Sequence, residues 1–326
     1  MNQRYFERIG FSGDSEPLIA EISEEFNLGS VQNTEVLTVG FEDCNIKLNS
    51  RTGDFVLKAF AKFRDNTEIE RYVGVMQAAI NGGVHCPRLH KSQTGDVLYQ
   101  HPSGISLVVM DFIDGQTYFD IKTTPTDEEL NLVAVEAVKI HNLPIRPSQV
   151  LDSWAIPHIH TMYAKTEQFL DEEGKKLAEQ AINRYNAIDQ SRLNKCFVHG
   201  DIISTNTLKG RDGQIWILDF AVSNIYPKIQ ELSVIATSLL ADPKKYSPLL
   251  KRVERVRKSY LSAGGTLTEY EQQVLFDYAL AGAAMEFMGG HKAKFVDKED
   301  PEESDHWIKL GKEALQEALK RIRYKK

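Results

Sequence analysis

Residues 197–220, FVHGDIISTNTLKGRDGQIWILDF, set His199, Asp201, Asn206 and Asp219 among strongly apolar neighbours. Asp219 follows the apolar run IWIL, a pattern that predicts a strand buried on both faces. An unpaired carboxylate is costly in such surroundings, so Asp219 needs a cation or several hydrogen-bond donors. Capping of a turn by accepting backbone N–H groups is the structural alternative for this residue.

Asn206 follows Asp201 by five positions, and a loop of that length can turn a carboxamide oxygen and a carboxylate toward a common point with Asp219. Magnesium takes oxygen ligands and is usually held by one or two protein carboxylates together with phosphate oxygens. We therefore predict that Asn206 and Asp219 bind Mg²⁺. Taken singly, Asp201 could instead cap a helix and Asn206 could close a turn.

In a reaction that transfers a phosphoryl group from a magnesium-bound nucleotide to a hydroxyl, Asp201 is the residue that would meet this acceptor hydroxyl. Full removal of the hydroxyl proton would cost roughly 16 kcal/mol, because the reference pKa is near 3.9 for aspartate and about 15.7 for water, which stands in for an alcohol. In a loose phosphoryl-transfer transition state the hydroxyl stays protonated until late. Asp201 is therefore predicted to orient the hydroxyl and to accept its proton late, while His199 braces the loop.

Lys58 lies in DFVLKAF, where a period of two places it on one strand face with the apolar Val56 and Phe60. A lysine in this position either extends its amine toward solvent or pairs with an acid. The next predicted helix offers two acids. We choose Glu70 as the partner, and Glu68 is the alternative because the loop length leaves the register open.

Length and composition describe an ordinary globular chain. Its 326 residues exceed the roughly 250–300 at which a single core stops growing, so two lobes are expected. The net charge of −7 opposes binding to nucleic acid, and no run reaches the roughly 18 apolar residues of a membrane span. Three dispersed cysteines and the lack of a signal peptide fit a cytoplasmic location.

The order of elements predicts an α+β fold, with a first lobe over residues 1–112 and a mostly helical second lobe over 113–326. The first lobe combines short strands over 31–60 with a crossing helix and a final strand, SLVVM. The charged segment 292–305 is expected to be a solvated loop. Helices are predicted at about 16–29, 67–83, 126–142, 161–187, 229–241, 247–262, 267–288 and 306–323.

The set H-G-D-x-x-x-x-N followed by L-D-F resembles the aminoglycoside phosphotransferase and choline kinase group of small-molecule kinases, relatives of the protein kinases. The resemblance extends from the strands near 33 to the helices after 231 and is strongest in VHGDIISTN and ILDF. It implies a bilobal protein-kinase-like fold with a small antiparallel-sheet N-lobe, and an ATP- and Mg²⁺-dependent kinase. By this resemblance Lys58 grips the α and β phosphates of the nucleotide and a helix glutamate holds it.

The same resemblance implies an adenine site on the first lobe and the catalytic segment. Val56 and Leu208 would pack against the base, although ordinary core packing is the alternative for both. The polar edge of the base would face the backbone of Asp111, Phe112 and Ile113.

The acceptor is specified least by the sequence. TVGFEDCNIKL has a single glycine, Gly40, and is similar to the phosphate-covering turn of bacterial homoserine kinases of this fold. A small hydroxyl substrate such as homoserine or a related amino alcohol is therefore ranked first. Aminoglycoside or choline and ethanolamine kinases, and a catalytically silent nucleotide-binding scaffold, are the alternatives. Candidate substrate contacts are Trp154, His158, His160, Tyr163, Asn224 and Tyr226, and Glu231 is assigned a structural role.

Overall fold

The computed structural model describes residues 3–37, 43–242, 245, 247–299 and 301–323. The chain forms two compact units, one of Met1–Gly115 with Gly210–Phe220 and one of Gln116–Lys209 with Ala221–Lys326. This division differs from the predicted boundary after residue 112, because the segment 210–220 returns to the first unit. The return is held there by a hydrogen bond from Ile217 N to His85 O, 2.8 Å long, and by the rings of His85 and Trp216.

Groups of strands and groups of helices follow one another along the chain. The strands are β1 Val31–Leu37, β2 Cys44–Ser50, β3 Asp54–Ala59, β4 Tyr99–Gln100, β5 Ser106–Asp111, β6 Gly115–Thr117, β7 Lys195–Val198, β8 Thr207–Gly210, β9 Ile215–Ile217 and β10 Asn224–Pro227. The helices are α1 Gln3–Arg8, α2 Ser15–Glu25, α3 Asn66–Asn81, α4 Asp127–His141, α5 Ile159–Thr166, α6 Glu172–Asn186, α7 Lys228–Val234, α8 Leu249–Ser262, α9 Glu269–Lys292 and α10 Pro301–Arg323. Short 3₁₀ turns lie at Ile156–His158, Glu167–Phe169 and Gln190–Arg192, and π-helical turns at Ile235–Leu239 and Ala293–Asp297.

The first unit is built on an antiparallel sheet with the strand order β1-β2-β3-β5-β4. Alternate residues of β2 and β3 point into its core, where Ile46, Leu48 and Leu57 are almost fully buried. The opposite face of β3 carries Lys58, as its period of two predicts. Asp65 begins α3 by accepting a hydrogen bond from Glu68 N at 2.8 Å.

The second unit is mostly helical and is centred on α9, whose residues from Leu275 to Gly290 are largely buried. A capping box begins α9, with Thr268 accepting from Glu271 N while Glu271 accepts from Thr268 N. Strand β7 pairs antiparallel with β10 and leads directly into the loop that precedes β8. Together the two units confirm the predicted α+β class with a small antiparallel-sheet part and a helical part.

One predicted helix and one predicted loop differ from the structure. The helix expected over 161–187 is two helices, α5 and α6, because Asp171 caps a new helix by accepting from Gly174 N at 2.6 Å. The charged segment 292–305 is largely helical, since a π-helical turn extends α9 and Pro301 begins α10. Proline suits the first helical position because its missing N–H would have no partner there.

Within the part of the chain that the structure describes, no helix is long and apolar enough to cross a membrane.

Candidate active site

Lys58 lies between two carboxylates in the first unit. Its Nζ is 3.0 Å from Asp43 Oδ2 and 3.5 Å from Asp219 Oδ2, although Asp219 is 161 positions away in sequence. The lysine and Asp43 side chains are each 4% exposed, whereas that of Asp219 is 42% exposed. The structure thus brings together Lys58 and Asp219, two residues that the sequence predicted for the same site.

Asp43 organises a buried network around Lys58. Its Oδ1 accepts hydrogen bonds from Ala61 N at 3.0 Å and from Arg64 Nε at 2.9 Å. Burial by itself would raise the pKa of Asp43, but the charges of Lys58 and Arg64 hold that pKa below its usual range. Burial would likewise lower the pKa of Lys58, but Asp219, Tyr72 and Asp43 raise it. The lysine is therefore held as a cation in a nearly dry site.

The predicted pairing of Lys58 with Glu70 is wrong, and so is the alternative with Glu68. Both glutamates are exposed on α3. The face of α3 that packs inward carries apolar and aromatic residues, and Tyr72 lies on it, with its ring centre 5.1 Å from Lys58 Nζ. Residues 68 and 70 are about 100° either side of Ile69, which leaves them off this buried face.

Sequence reasoning missed Asp43 as the partner of Lys58, although the strand register contained the signal. The hairpin pairs Asn45 with Lys58, and a period of two puts Asp43 on the same sheet face as Asn45. Asp43 is thus the diagonal neighbour of Lys58, within reach of a long side chain. Counting the register from the turn at 50–53 would have indicated this contact.

Asp219 has a strained backbone at the end of its apolar run. Its φ is +60°, in the left-handed region that few residues other than glycine adopt. Such conformations cost on the order of 1–3 kcal/mol and concentrate where a side chain must be aimed for function. The strain turns the carboxylate out of the buried strand β9 and toward Lys58.

In the second unit the loop of residues 199–206 brings Asp201 and Asn206 together. Asn206 Nδ2 donates to Asp201 Oδ2 at 2.6 Å and to Asp201 O at 3.2 Å. These bonds hold the orientation of the Asp201 carboxylate. They also leave Oδ1 as the atom of the Asn206 amide that could bind a cation.

Buried groups brace the same loop from behind. His199 is fully buried, and its Nδ1 accepts from Asp201 N at 3.2 Å. Glu231 accepts from His199 N at 2.6 Å and from Gly200 N at 3.2 Å. Burial raises the pKa of Glu231 to about 7 even though backbone amides, including that of Ile202, donate to it. His199 thus makes the hydrogen bond within the loop that was predicted for it, and Glu231 holds the loop backbone from the start of α7.

The connector, residues 111–113 at the end of β5, forms specific backbone hydrogen bonds. Asp111 N donates to Arg88 O and Phe112 N to Asp54 O. Phe55 and Asp111 lie opposite each other on β3 and β5. Hydrogen-bonded and non-hydrogen-bonded pairs alternate along an antiparallel ladder, and the neighbouring pair, Asp54 and Phe112, is hydrogen-bonded. Phe55 and Asp111 are therefore a non-hydrogen-bonded pair. The Asp111 carbonyl therefore points away from β3. Among the described residues, the Ile113 N–H donates to no backbone carbonyl.

The other residues that were predicted to contact the nucleotide or the acceptor differ in their exposure to solvent. Val56 is half-buried in the first unit, and Leu208 is buried in the second. Gly40 lies outside the described residues. Tyr163 donates to Glu179, and this pair is exposed on the surface.

A family model described as the phosphotransferase enzyme family matches residues 34–272 of this chain. Among solved structures, it is similar to a spectinomycin phosphotransferase with ADP and spectinomycin, at a TM-score of 0.67 and 11% identity over 94% of this chain and 98% of that one. It is also similar to an amicoumacin kinase with AMP-PNP and Ca²⁺, at a TM-score of 0.69 and 13% identity over 97% and 96%. A microcompartment-associated aminopropanol kinase matches at a TM-score of 0.68 and 13% identity over 92% and 95%. These likenesses confirm the protein-kinase-like fold.

Proposed function

This chain belongs to the phosphotransferase enzyme family, and we propose that it transfers the γ-phosphoryl group of ATP to a hydroxyl of a small molecule, such as homoserine or a related amino alcohol. The observation that carries the proposal is the buried Lys58 held as a cation within 3.5 Å of the strained Asp219. A positive charge fixed beside an acid that closes a strand is suited to the phosphates of a nucleotide and their counter-ion.

Asn206 and Asp219 are proposed to hold Mg²⁺. Their available atoms fit such an ion, because an amide oxygen and a partly exposed carboxylate are both hard oxygen ligands. No three His, Cys, Asp or Glu side chains of the described residues are grouped as a metal site. The nucleotide phosphates would therefore supply most of the coordination, as is usual for magnesium. When bound, the ion would neutralise charge on the phosphate oxygens.

Asp201 is proposed as the catalytic residue. The bond from Asn206 orients its carboxylate, and the buried braces of His199 and Glu231 keep the loop backbone in place. A carboxylate positioned in this way can align the acceptor hydroxyl and take its proton as the new bond to phosphorus forms. Lys58 is proposed to bind the α and β phosphates, and Asp43 to position Lys58.

The connector is proposed to bind adenine in preference to guanine. The Asp111 carbonyl is an acceptor and the Ile113 N–H is a donor two residues later, which matches the exocyclic amine and ring nitrogen of adenine. Guanine presents the reverse order of donor and acceptor. Each mismatched hydrogen bond costs about 1–3 kcal/mol, so kcat/KM for ATP is expected to exceed that for GTP by roughly 10-fold or more. Steady-state kinetics with both nucleotides would test this, and equal use of the two would contradict it.

A transfer assay tests the proposed function itself. The protein is incubated with ATP, Mg²⁺ and a panel of hydroxylated amino acids, amino alcohols and aminoglycosides, and phosphorylated products are identified by mass spectrometry. We expect one acceptor class to be phosphorylated, with transfer lost in EDTA and restored by added Mg²⁺. Stabilisation by Mg-ATP without transfer to any acceptor would instead indicate a silent nucleotide-binding scaffold.

A further inference from the structure

One carboxylate of the second unit has no part in the proposed chemistry. Glu286 lies in the middle of α9, in the segment ALAGAAMEFMGG, whose other residues are buried. Ser238, from the π-helical turn Ile235–Leu239, donates a hydrogen bond to Glu286 Oε1. Glu286 remains half-buried, so part of its side chain still meets solvent.

Glycines on the same face of α9 allow neighbouring elements to pack against the helix backbone on either side of this carboxylate. Gly282 and Gly289 lie one turn before and one turn after Glu286. A Cβ at Gly282 would lie 3.3 Å from both Ile156 and Thr237, and a Cβ at Gly289 would overlap the six-membered ring of Trp154. Elements on both sides of Glu286 thus approach the helix backbone directly.

Trp154 is the aromatic member of the candidate site formed by Glu286, Ser238 and Trp154, which we call the Glu286 corner. Its ring lies against Gly289, yet the residue as a whole is 36% exposed. It meets Trp307 of α10 in an edge-to-face contact, with the ring centres 6.5 Å apart. Part of Trp154 therefore remains accessible to solvent beside α9 and α10. A partly exposed tryptophan face next to a carboxylate is a favourable surface for a cation.

Burial disfavours the charged form of Glu286 more than its neighbours in the protein favour it. Burial raises the pKa of this carboxyl to about 7, although the Ser238 hydroxyl and the charge of Arg252 both act to lower it. The Arg252 guanidinium also donates from its Nη1 to Thr237 O at 3.0 Å, a bond that leaves its positive charge in place. A cation brought by a ligand would supply the missing compensation.

Two routes through the second unit connect this corner to the catalytic loop. Along the first, Asn224 is the register partner of Val198, next to His199, and its Nδ2 donates to Val150 O at 2.8 Å, four residues before Trp154. Along the second, Glu231 binds the loop amides, and its helix continues into the turn that carries Ser238.

We propose that Glu286, together with Ser238 and the face of Trp154, binds a primary ammonium group of the acceptor whose hydroxyl meets Asp201. This rests on the proposed function and deepens it by assigning a residue and a chemical class. A primary ammonium offers three N–H donors, and a carboxylate with one lone pair engaged by Ser238 has others to accept them. A quaternary ammonium has no such donors and would need an aromatic cage, which one exposed tryptophan face does not supply.

Calorimetric titration in the presence of Mg-AMP-PNP tests the assignment. The probes are three primary amino alcohols (ethanolamine, 1-amino-2-propanol and homoserine), the quaternary choline and the neutral 1,2-propanediol. We expect at least one primary amino alcohol to bind the wild-type protein at least 10-fold more tightly than choline and the diol. The Glu286→Gln variant should lose this preference, and Trp154→Leu should weaken it.

The matched control is Glu269→Gln, an exposed acid in the first turn of the same helix, and it should keep the wild-type preference. Failure of all three amines to bind, or an unchanged preference in Glu286→Gln, would overturn the assignment. Nucleotide turnover is measured in parallel, so that transfer to a neutral acceptor would disprove the ammonium site while leaving the kinase function intact. Unchanged melting temperatures of the variants would exclude a folding defect as the cause of weaker binding.

Discussion

Replacement of Asp201 by asparagine is expected to lower kcat for phosphoryl transfer by roughly 10²–10⁴-fold, the usual contribution of a positioned general base. Asparagine keeps the shape of the side chain and an acceptor for Asn206 Nδ2, which now bonds Asp201 at 2.6 Å. It cannot take the proton of the hydroxyl. The affinity for Mg-nucleotide, measured by calorimetry, should therefore stay close to that of the wild type.

The matched control is Asp212→Asn, which alters an exposed aspartate in the same segment 197–220. This variant should retain full turnover, because Asp212 caps its own turn by accepting from Gln214 N. Wild-type turnover in Asp201→Asn would remove Asp201 from the proposed chemistry. A combined loss of nucleotide binding and melting temperature would indicate a structural role instead.

Replacement of Asp43 by asparagine is expected to have the second largest effect. It removes the nearest acid of Lys58 and an acceptor of Arg64, both at about 3 Å in the buried network. Breaking a buried ion pair from one side typically costs about 3–5 kcal/mol of unfolding free energy, because a charge is left without its partner. Asp219 still faces Lys58, so the loss should fall toward the lower end of that range. The KM for ATP should rise at least 10-fold.

Glu68→Gln and Glu70→Gln are the matched controls, because both glutamates lie exposed on α3. Surface substitutions of this kind usually change stability by less than about 0.5 kcal/mol. Urea unfolding and ATP kinetics of the three variants would compare the acids directly. A larger loss in Glu70→Gln than in Asp43→Asn would show that the helix acid holds Lys58 in solution.

The same ion pair has a defined pH dependence. The pKa of Asp43 is lower in the folded protein than in the unfolded chain, where it is near its ordinary value of 3.8. The stability that this carboxylate contributes is therefore fully present above that ordinary value and is lost only as pH falls through the lowered folded pKa. Glu231 has the opposite sign, since its raised folded pKa makes stability decrease as pH rises from about 4.5 toward 7.

The sequence by itself determined the contact between Asp201 and Asn206. Asp201 and Asn206 are five residues apart, so one short loop is enough to bring them into contact. The apolar run before Asp219 predicted a buried strand, and the structure has β9 there. Period-two alternation likewise assigned the sheet face of Lys58. These features depend on local spacing, which the order of residues specifies directly.

The partner of Lys58 was decided by packing across the sheet. Two glutamates of α3 had a suitable charge, but the helix turns its apolar side and Tyr72 inward, and Asp43 reaches the lysine from the neighbouring strand. The free energy of burying apolar surface exceeds that of one ion pair, so it selects the helix face first. Charges then pair with whatever that choice leaves nearby.

Only the tertiary structure brought Lys58 to Asp219, which is 161 positions away, and returned segment 210–220 to the first unit. It also placed Ser238 of the π-helical turn against Glu286 of α9. No periodicity of a single segment contains these contacts, because each joins elements that are distant in the chain. Local hydrogen bonding and side-chain alternation determine the elements one at a time. Which of their faces meet is decided by the burial of many side chains at once, and the buried acids of this protein acquire their partners at that stage.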